Sequence, residues 1–344
     1  LVDASSTLVV FDDEGRRLKE ILFDAPGTVS SMSSWSGEAV FKYESFHVPY
    51  RIYRLRGLDL ELIESREVGG EYIVEEEWAR SRDGTRVHMF VFRRKGVEPD
   101  KVLLYGYGGF GKSITPTFSP CKTLFVNDGG TFVVANIRGG GEYGEEWHRA
   151  GVRENRERVF EDFVACVEFF KRRGAKVVVS GVSNGGLLVA VVVTRWPEAV
   201  DGAVIGYPLI DMLRFHKLYV GKYWVSEYGN PDDPSDAEYL ARYSPYHNVR
   251  PAESPPILVF TGLRDDRVHP AHAFKFVARL EEVGAPVMLR IEKESGHSGA
   301  CPAVKMRECA DVLAFVYRVL GIKPGGEESE GARSRVLRRD EAGE

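Results

Sequence analysis

A serine held between glycines, followed along the chain by a carboxylate and then a histidine, can carry out acyl transfer, and all three occur here in that order. Gly181-Val182-Ser183-Asn184-Gly185 stands directly after the β-branched run from Lys176 to Ser180 and directly before the apolar stretch from Gly186 to Val193. It reads as a nucleophile elbow. A strand that turns sharply into a helix forces its central residue into strained geometry, so its neighbours must be small and its hydroxyl projects into a cleft. Ser183 is therefore the candidate nucleophile. The bland alternative is a glycine-rich turn without chemical consequence; the strand before and the helix after count against it.

A serine hydroxyl is a poor nucleophile near neutral pH, so the reading requires a downstream carboxylate and histidine in the order Ser, Asp/Glu, His. The segment from Pro255 to Gly262 reads as a short apolar strand, and Leu263-Arg264-Asp265-Asp266-Arg267-Val268 as a polar loop at its carboxyl end. A helix is expected near 270–283. Val287 to Glu292 then reads as a strand running into Ser295-Gly296-His297-Ser298-Gly299. Asp265 is the candidate orienting acid and His297 the candidate base. Of the eight histidines, only His297 lies in a glycine-flanked loop after the last predicted strand. His269 and His272 follow Asp265 too closely and are expected to cap a helix or face solvent. Asp211, after the strand from Ala203 to Tyr207, is a rival carboxylate that could simply cap the next helix. Spacing alone does not separate Asp265 from Asp266.

Tyr105-Gly106-Tyr107-Gly108-Gly109-Phe110, the run from Asn136-Ile137-Arg138-Gly139 to Gly144, and Ser183-Asn184-Gly185-Gly186 follow one another in this order. Ser244-Pro245-Tyr246-His247-Asn248-Val249, Asp265-Asp266-Arg267-Val268 and Gly296-His297 come after them. On these motifs the chain, from about Glu71 to Gly321, resembles the prolyl oligopeptidase family of serine peptidases. The resemblance implies an α/β-hydrolase domain capped by a β-propeller, which cleaves short peptides, usually after proline, and excludes folded proteins. It makes Ser183 the nucleophile, Asp265 the acid and His297 the base, which resolves the choice between the two aspartates. It also implies an oxyanion hole formed by the Tyr107 hydroxyl and the backbone N–H of Asn184. From the sequence alone, Tyr107 reads as a packed aromatic beside a glycine turn.

The substrate pocket comes by the same resemblance. Trp224 and Tyr228 match positions where the family stacks an indole on the ring of a substrate proline, and a flat aromatic wall suits a flat saturated ring. Two aromatics at helical spacing otherwise read as core packing. Arg267 matches the residue that hydrogen-bonds the carbonyl before the proline; its plain alternative is a surface ion pair with Asp266. Phe110, Leu209, Ile210 and Val268 fall at lining positions, although Leu209 and Ile210 are not the residues expected in every member of the family.

The net charge of −5 in 344 residues and the interspersed charges give no basic face for nucleic acid. No apolar run reaches the roughly 18 residues of a membrane span, and no leader is visible at Leu1. The expectation is a cytoplasmic enzyme without cofactor or metal, acting on short proline-containing peptides, of unknown oligomeric state. The four cysteines read as too few and too scattered for a disulfide framework, and no pair has zinc-ligand spacing. The lack of glutamine and the many arginines and valines hint at a thermophilic source.

Strands alternating with helices from Lys101 onward imply a mostly parallel, doubly wound sheet with helices on both faces, preceded by a hairpin over Glu71 to Arg93. Arg158 to Arg173 has helical periodicity, with Phe160, Phe163, Val164, Val167 and Phe170 on one side. Before this, short strands near 7–11, 18–22, 39–43 and 51–55 have β-blade spacing. The organisation expected is a partial β-propeller of one to two blades over 1–65, an α/β-hydrolase domain over 66–321, and a disordered charged tail over 322–344. So small a part of a cap would leave blade edges to cover and would remove the size filter on substrates. An esterase or acyl-aminoacyl peptidase with the same triad, and a catalytically impaired hydrolase-fold fragment, are the alternative readings; a dibasic-specific oligopeptidase fits the aromatic pocket less well.

Overall fold

The computed structural model describes residues 1–251, 253–297 and 301–325. Ser298, Gly299 and the tail from 326 onward lie outside the described residues. Ile322 is buried, and its N–H donates to the Tyr317 carbonyl. The packed body thus extends past the point where the charged tail was expected to begin.

The central sheet contains β7 (Tyr72–Arg80), β8 (Arg86–Arg94), β9 (Lys101–Gly106), β10 (Thr131–Asn136), β11 (Lys176–Val182), β12 (Gly202–Gly206), β13 (Ile257–Gly262) and β14 (Val287–Glu292). Their order across the sheet is β14-β13-β12-β11-β9-β10-β8-β7. From β14 to β10 every pairing is parallel, while β8 pairs antiparallel with both β10 and β7. The helices of this unit are α1 (Pro120–Asn127), α2 (Glu145–Arg149), α3 (Glu157–Lys171), α4 (Asn184–Arg195), α5 (Val225–Tyr228), α6 (Pro234–Tyr243), α7 (Pro245–Asn248), α8 (Ala271–Glu282) and α9 (Pro302–Leu320).

Strand alternation divides the core into two layers. Val102 and Leu104 of β9, Val177 and Val179 of β11, Ala203 and Ile205 of β12, and Ile257 and Val259 of β13 join α3, α4 and α8. The intervening Leu103, Val178, Val204 and Leu258 join α1 and α9 on the opposite face. Both faces of the parallel strands are thus buried, as crossover helices require. No helix among the described residues is long and apolar enough to cross a membrane.

A disulfide between Cys121 and Cys309 ties α1 to α9. This is a single bridge and not a framework: the two cysteines lie 188 residues apart in sequence, and only the packing of both helices on one sheet face brings them together. Cys166 is buried and free, and Cys301 is exposed and free.

The N-terminal region forms a ribbon of β1 (Leu8–Phe11) and β2 (Arg17–Ile21), then an antiparallel sheet of β3 (Thr28–Trp35), β4 (Glu38–Glu44), β5 (Tyr50–Arg56) and β6 (Asp59–Arg66). This is a full four-stranded blade beside a piece of another. Neither β3 nor β6 is among the predicted strands: half of β3 is serine, and half of β6 is charged, with nearly all of it exposed. Its chief junction with the α/β unit is Phe46, whose ring stacks on Phe92 at 5.5 Å and meets Phe90 and Phe132 edge-on.

Candidate active site

β11 ends at Val182 and α4 begins at Asn184, which leaves Ser183 at φ 61° and ψ −116°. That backbone conformation is costly for a residue with a Cβ and is the mark of an elbow. The flanking glycines make the turn possible. A Cβ on Gly181 would lie 2.1 Å from the Gly185 carbonyl oxygen, and one on Gly185 would lie 2.5 Å from that of Gly106. The Ser183 N–H donates to the Gly206 carbonyl at 2.8 Å, so the pairing of β11 with β12 runs into the turn and holds it. Asn184 is the first residue of α4, where a backbone N–H has no acceptor within the helix.

Asp265 and His297 arrive on the loops after β13 and β14. His297 Nδ1 lies 2.7 Å from Asp265 Oδ2, and the carboxylate is almost wholly buried. Asp265 Oδ1 accepts the backbone N–H groups of Arg267 and Val268, both at 2.9 Å. The loop is thus wound around the Asp265 side chain, whereas Asp266 is exposed. Tyr207 lies edge-on to the His297 ring at 5.4 Å and donates its hydroxyl to Glu308 at 2.7 Å. Asp211, the rival carboxylate, is buried in an ion pair with Lys275. His272 faces neither solvent nor a cap. It is buried, and its Nδ1 accepts the N–H groups of Ile210 and Asp211.

Tyr107 is half-buried, and its hydroxyl makes no hydrogen bond among the described residues. Burial pushes its phenol above the ordinary range, while Arg156 and Arg267 pull it partly back. The group therefore stays protonated at neutral pH and can donate.

Beneath these groups lies a buried network that the sequence reading missed. Asn184 Oδ1 accepts from the Arg156 guanidinium and from the Tyr228 hydroxyl, and its Nδ2 donates to the Tyr107 carbonyl at 2.5 Å. Glu227 Oε1 accepts the Phe110 N–H at 2.7 Å and lies 3.3 Å from Arg156, while Oε2 meets His148 Nε2 at 2.9 Å. Arg156 is only 1% exposed and stands 4.6 Å from the centre of the Tyr228 ring. One arginine thus joins the Gly108–Phe110 turn, the elbow and α5. Nothing in the spacing of residues 156, 184 and 227 links them; the usable signal was an asparagine, rather than an aliphatic residue, directly after the serine.

The pocket expectations need correction at several positions. Tyr228 is 0% exposed; its ring packs edge-on against Phe110 and Phe215 and its hydroxyl is taken by Asn184, so it supports the pocket from behind instead of offering a stacking face. Leu209, Ile210 and Val268 are likewise buried in the core and lie under the pocket. Trp224 is partly buried, and Phe110 is 39% exposed at φ 58°, which leaves these two as the accessible aromatic surface. Arg267 is exposed and forms no ion pair with Asp266 among the described residues. No group of His, Cys, Asp and Glu among the described residues is arranged to hold a metal ion.

A family model described as the prolyl oligopeptidase family matches residues 116–323. The chain is 40% identical over 288 residues to prolyl oligopeptidase A of Amanita bisporigera, which covers 79% of this chain and 37% of that protein. It is 36% identical over 342 residues to the prolyl endopeptidase of Elizabethkingia miricola, covering 93% and 48%. Its fold is similar to a solved structure of prolyl oligopeptidase B from Galerina marginata bound to a 35mer hydrolysis and macrocyclization substrate: TM-score 0.88, 32% identity, 94% of this chain and 49% of that one. The chain spans about half the length, or less, of the proteins it matches.

Proposed function

Because this chain belongs to the prolyl oligopeptidase family, we propose that it is a serine peptidase that hydrolyses short peptides on the carboxyl side of proline through an acyl-enzyme intermediate. The observation that carries this reading is the contact of His297 with the buried Asp265 carboxylate, 2.7 Å apart, on the two loops after β13 and β14, with an elbow serine at the same end of the strands.

In the proposed mechanism, Ser183 Oγ attacks the scissile carbonyl carbon and its proton passes to His297 Nε2. Asp265 holds the proton on Nδ1 and stabilises the imidazolium. The Tyr107 hydroxyl and the Asn184 N–H donate to the carbonyl oxygen as it gains negative charge, each worth about 3 to 4 kcal/mol of barrier. The Arg156–Asn184–Glu227 network holds these donors in place, so little reorganisation is needed as charge develops. The C–N bond then breaks, and His297 returns the proton to the leaving amine. A water repeats the sequence in reverse and frees the acid. Phe110 and Trp224 receive the proline ring, and Arg267 holds the carbonyl before it.

The test is hydrolysis of a chromogenic peptide with proline before the scissile bond, set against an alanine twin and a simple ester, by the wild type and by Ser183→Ala. Proline preference that disappears in Ser183→Ala is the expected result. Ester cleavage alone would replace this reading with an esterase.

A further inference from the structure

A second cavity, of about 380 Å³, opens beside Tyr107. Its floor is Phe46, Tyr105, Phe132 and Val134, and its wall is the irregular segment before α1, which contributes Lys112, Ser113, Thr115, Thr117 and Ser119. Lys122 of α1 closes it. Lys112 Nζ stands 4.9 Å from the Tyr107 ring centre and Lys122 Nζ 4.8 Å from that of Phe132. Among the described residues, neither lysine has an acidic partner, and none of the four hydroxyls makes a side-chain hydrogen bond.

Several backbone groups of this segment, by contrast, are engaged. The Ile114 N–H donates to Glu142 and its carbonyl accepts from Asn136 Nδ2; the Pro116 carbonyl accepts from Thr28, and the Phe118 N–H donates to Glu44. The nearby carboxylates Glu142 and Glu44 are thus turned toward backbone donors. What remains for the cavity is two cations and four hydroxyls on an aromatic floor, with no anion of the protein's own. Burial pulls the Lys122 amine down to about 8, as expected of a lysine without an anion beside it.

The cavity and the proline pocket lie on opposite faces of the sheet. Trp224, Leu209, Ile210 and Val268 belong to the α3, α4 and α8 layer; Phe46, Phe132, Val134, Tyr105 and Ile114 belong to the α1 and α9 layer. Ser183 stands on the edge between them. On the peptidase reading, a peptide whose proline rests in the first layer would carry its leaving portion over the edge toward the second. We propose that this cavity is a subsite for an acidic side chain in the leaving portion of the substrate, held by Lys112 and Lys122 through charge-assisted hydrogen bonds. This inference rests on the peptidase reading above.

The test uses two fluorescence-quenched peptides with Gly-Pro before the cleaved bond, differing only in Glu or Gln two residues after it. The wild type should cleave the Glu peptide with kcat/KM about tenfold higher, the scale of one hydrogen bond between charged groups. Lys122→Met should bring the ratio near one, and Lys122→Arg should keep most of it. Equal cleavage of both peptides by the wild type would overturn the subsite and leave the peptidase reading standing. Cleavage of neither would overturn the peptidase reading instead. Binding of the same peptides to Ser183→Ala, read by fluorescence anisotropy, then decides the subsite: tighter binding of the Glu peptide, lost in Lys122→Met with Ser183→Ala, supports it, and equal binding refutes it.

Discussion

The α/β unit and the N-terminal sheet are both built from alternating strands, yet they bury their surfaces in different ways. In the α/β unit the parallel strands have helices on both faces, so successive residues enter one core layer or the other. The blade β3-β4-β5-β6 has only a small aromatic cluster of its own, in which Phe23 stacks on Tyr43 at 4.2 Å and Phe41 on Tyr53 at 5.5 Å. Trp35 is 87% exposed, and Leu22 and Met32 are also largely open. The candidate site thus lies where the scaffold is self-covering, while the N-terminal sheet is an attachment held by Phe46 and a few hydrogen bonds. Exposed apolar surface of this kind is what a docking partner or a neighbouring blade would cover.

The largest effect that would test this division is on catalysis. Ser183→Ala should reduce kcat by about 10⁶-fold while thermal unfolding of the α/β unit stays the same or rises, because a change at the elbow leaves packing intact. A fall in stability as large as the fall in rate would mean that the elbow carries packing as well as chemistry. Replacing Cys121 and Cys309 together by alanine should cost the α/β unit about 5 kcal/mol, the loop-closure value for so long a loop, measured by denaturant unfolding without reductant. If the N-terminal sheet unfolds separately, its transition should not move.

Phe46→Ala should cost about 3 to 4 kcal/mol and act at the junction, so limited proteolysis should cut between 66 and 72 faster than in the wild type. An unchanged cleavage rate would mean that the hydrogen bonds, not the ring, hold the sheet. A pH effect of similar size should be confined to the α/β unit. Burial lowers His272 to about 4 from its ordinary 6.5, with Asp211 opposing and Lys275 and His269 assisting. The unfolded chain therefore takes up this proton first as pH falls. The stability it supplies is complete above about 6.5 and is lost progressively toward 4, about 3 kcal/mol in all. His272→Asn should flatten thermal stability across that window. The smallest effect is expected at the open face: Trp35→Ser should change stability by less than about 0.5 kcal/mol and reduce self-association measured by light scattering.

The parallel strands and α3 were legible because apolar residues recur there with one period over a long run. The candidate serine and histidine stood out because each follows a strand in a glycine-bearing loop, whereas spacing left Asp265 and Asp266 open and only the resemblance chose between them. β3 escaped because a serine-rich strand exposed on both faces over most of its length carries almost no hydrophobic pattern, and β6 because its few apolar residues are mostly exposed and break alternation at Leu62-Ile63. The disulfide and the Arg156 network escaped for another reason: each joins residues tens to hundreds of positions apart, and only the folded sheet sets their distance. Tyr228 was misplaced because identity of type at a matching position does not say which face of a ring is open. Arg156 lies over its ring and Asn184 takes its hydroxyl.

The conformation of Ser183 has a consequence for anyone who selects variants of this protein. At φ 61° and ψ −116°, glycine would sit with less strain than serine, so Ser183→Gly should fold as well or better while losing the nucleophile. A library ranked by heat resistance alone would therefore favour variants without the proposed nucleophile. On the peptidase reading, natural lineages escape that drift only while hydrolysis is under selection, and the side chain kept at the elbow becomes a record of whether that activity has been in use.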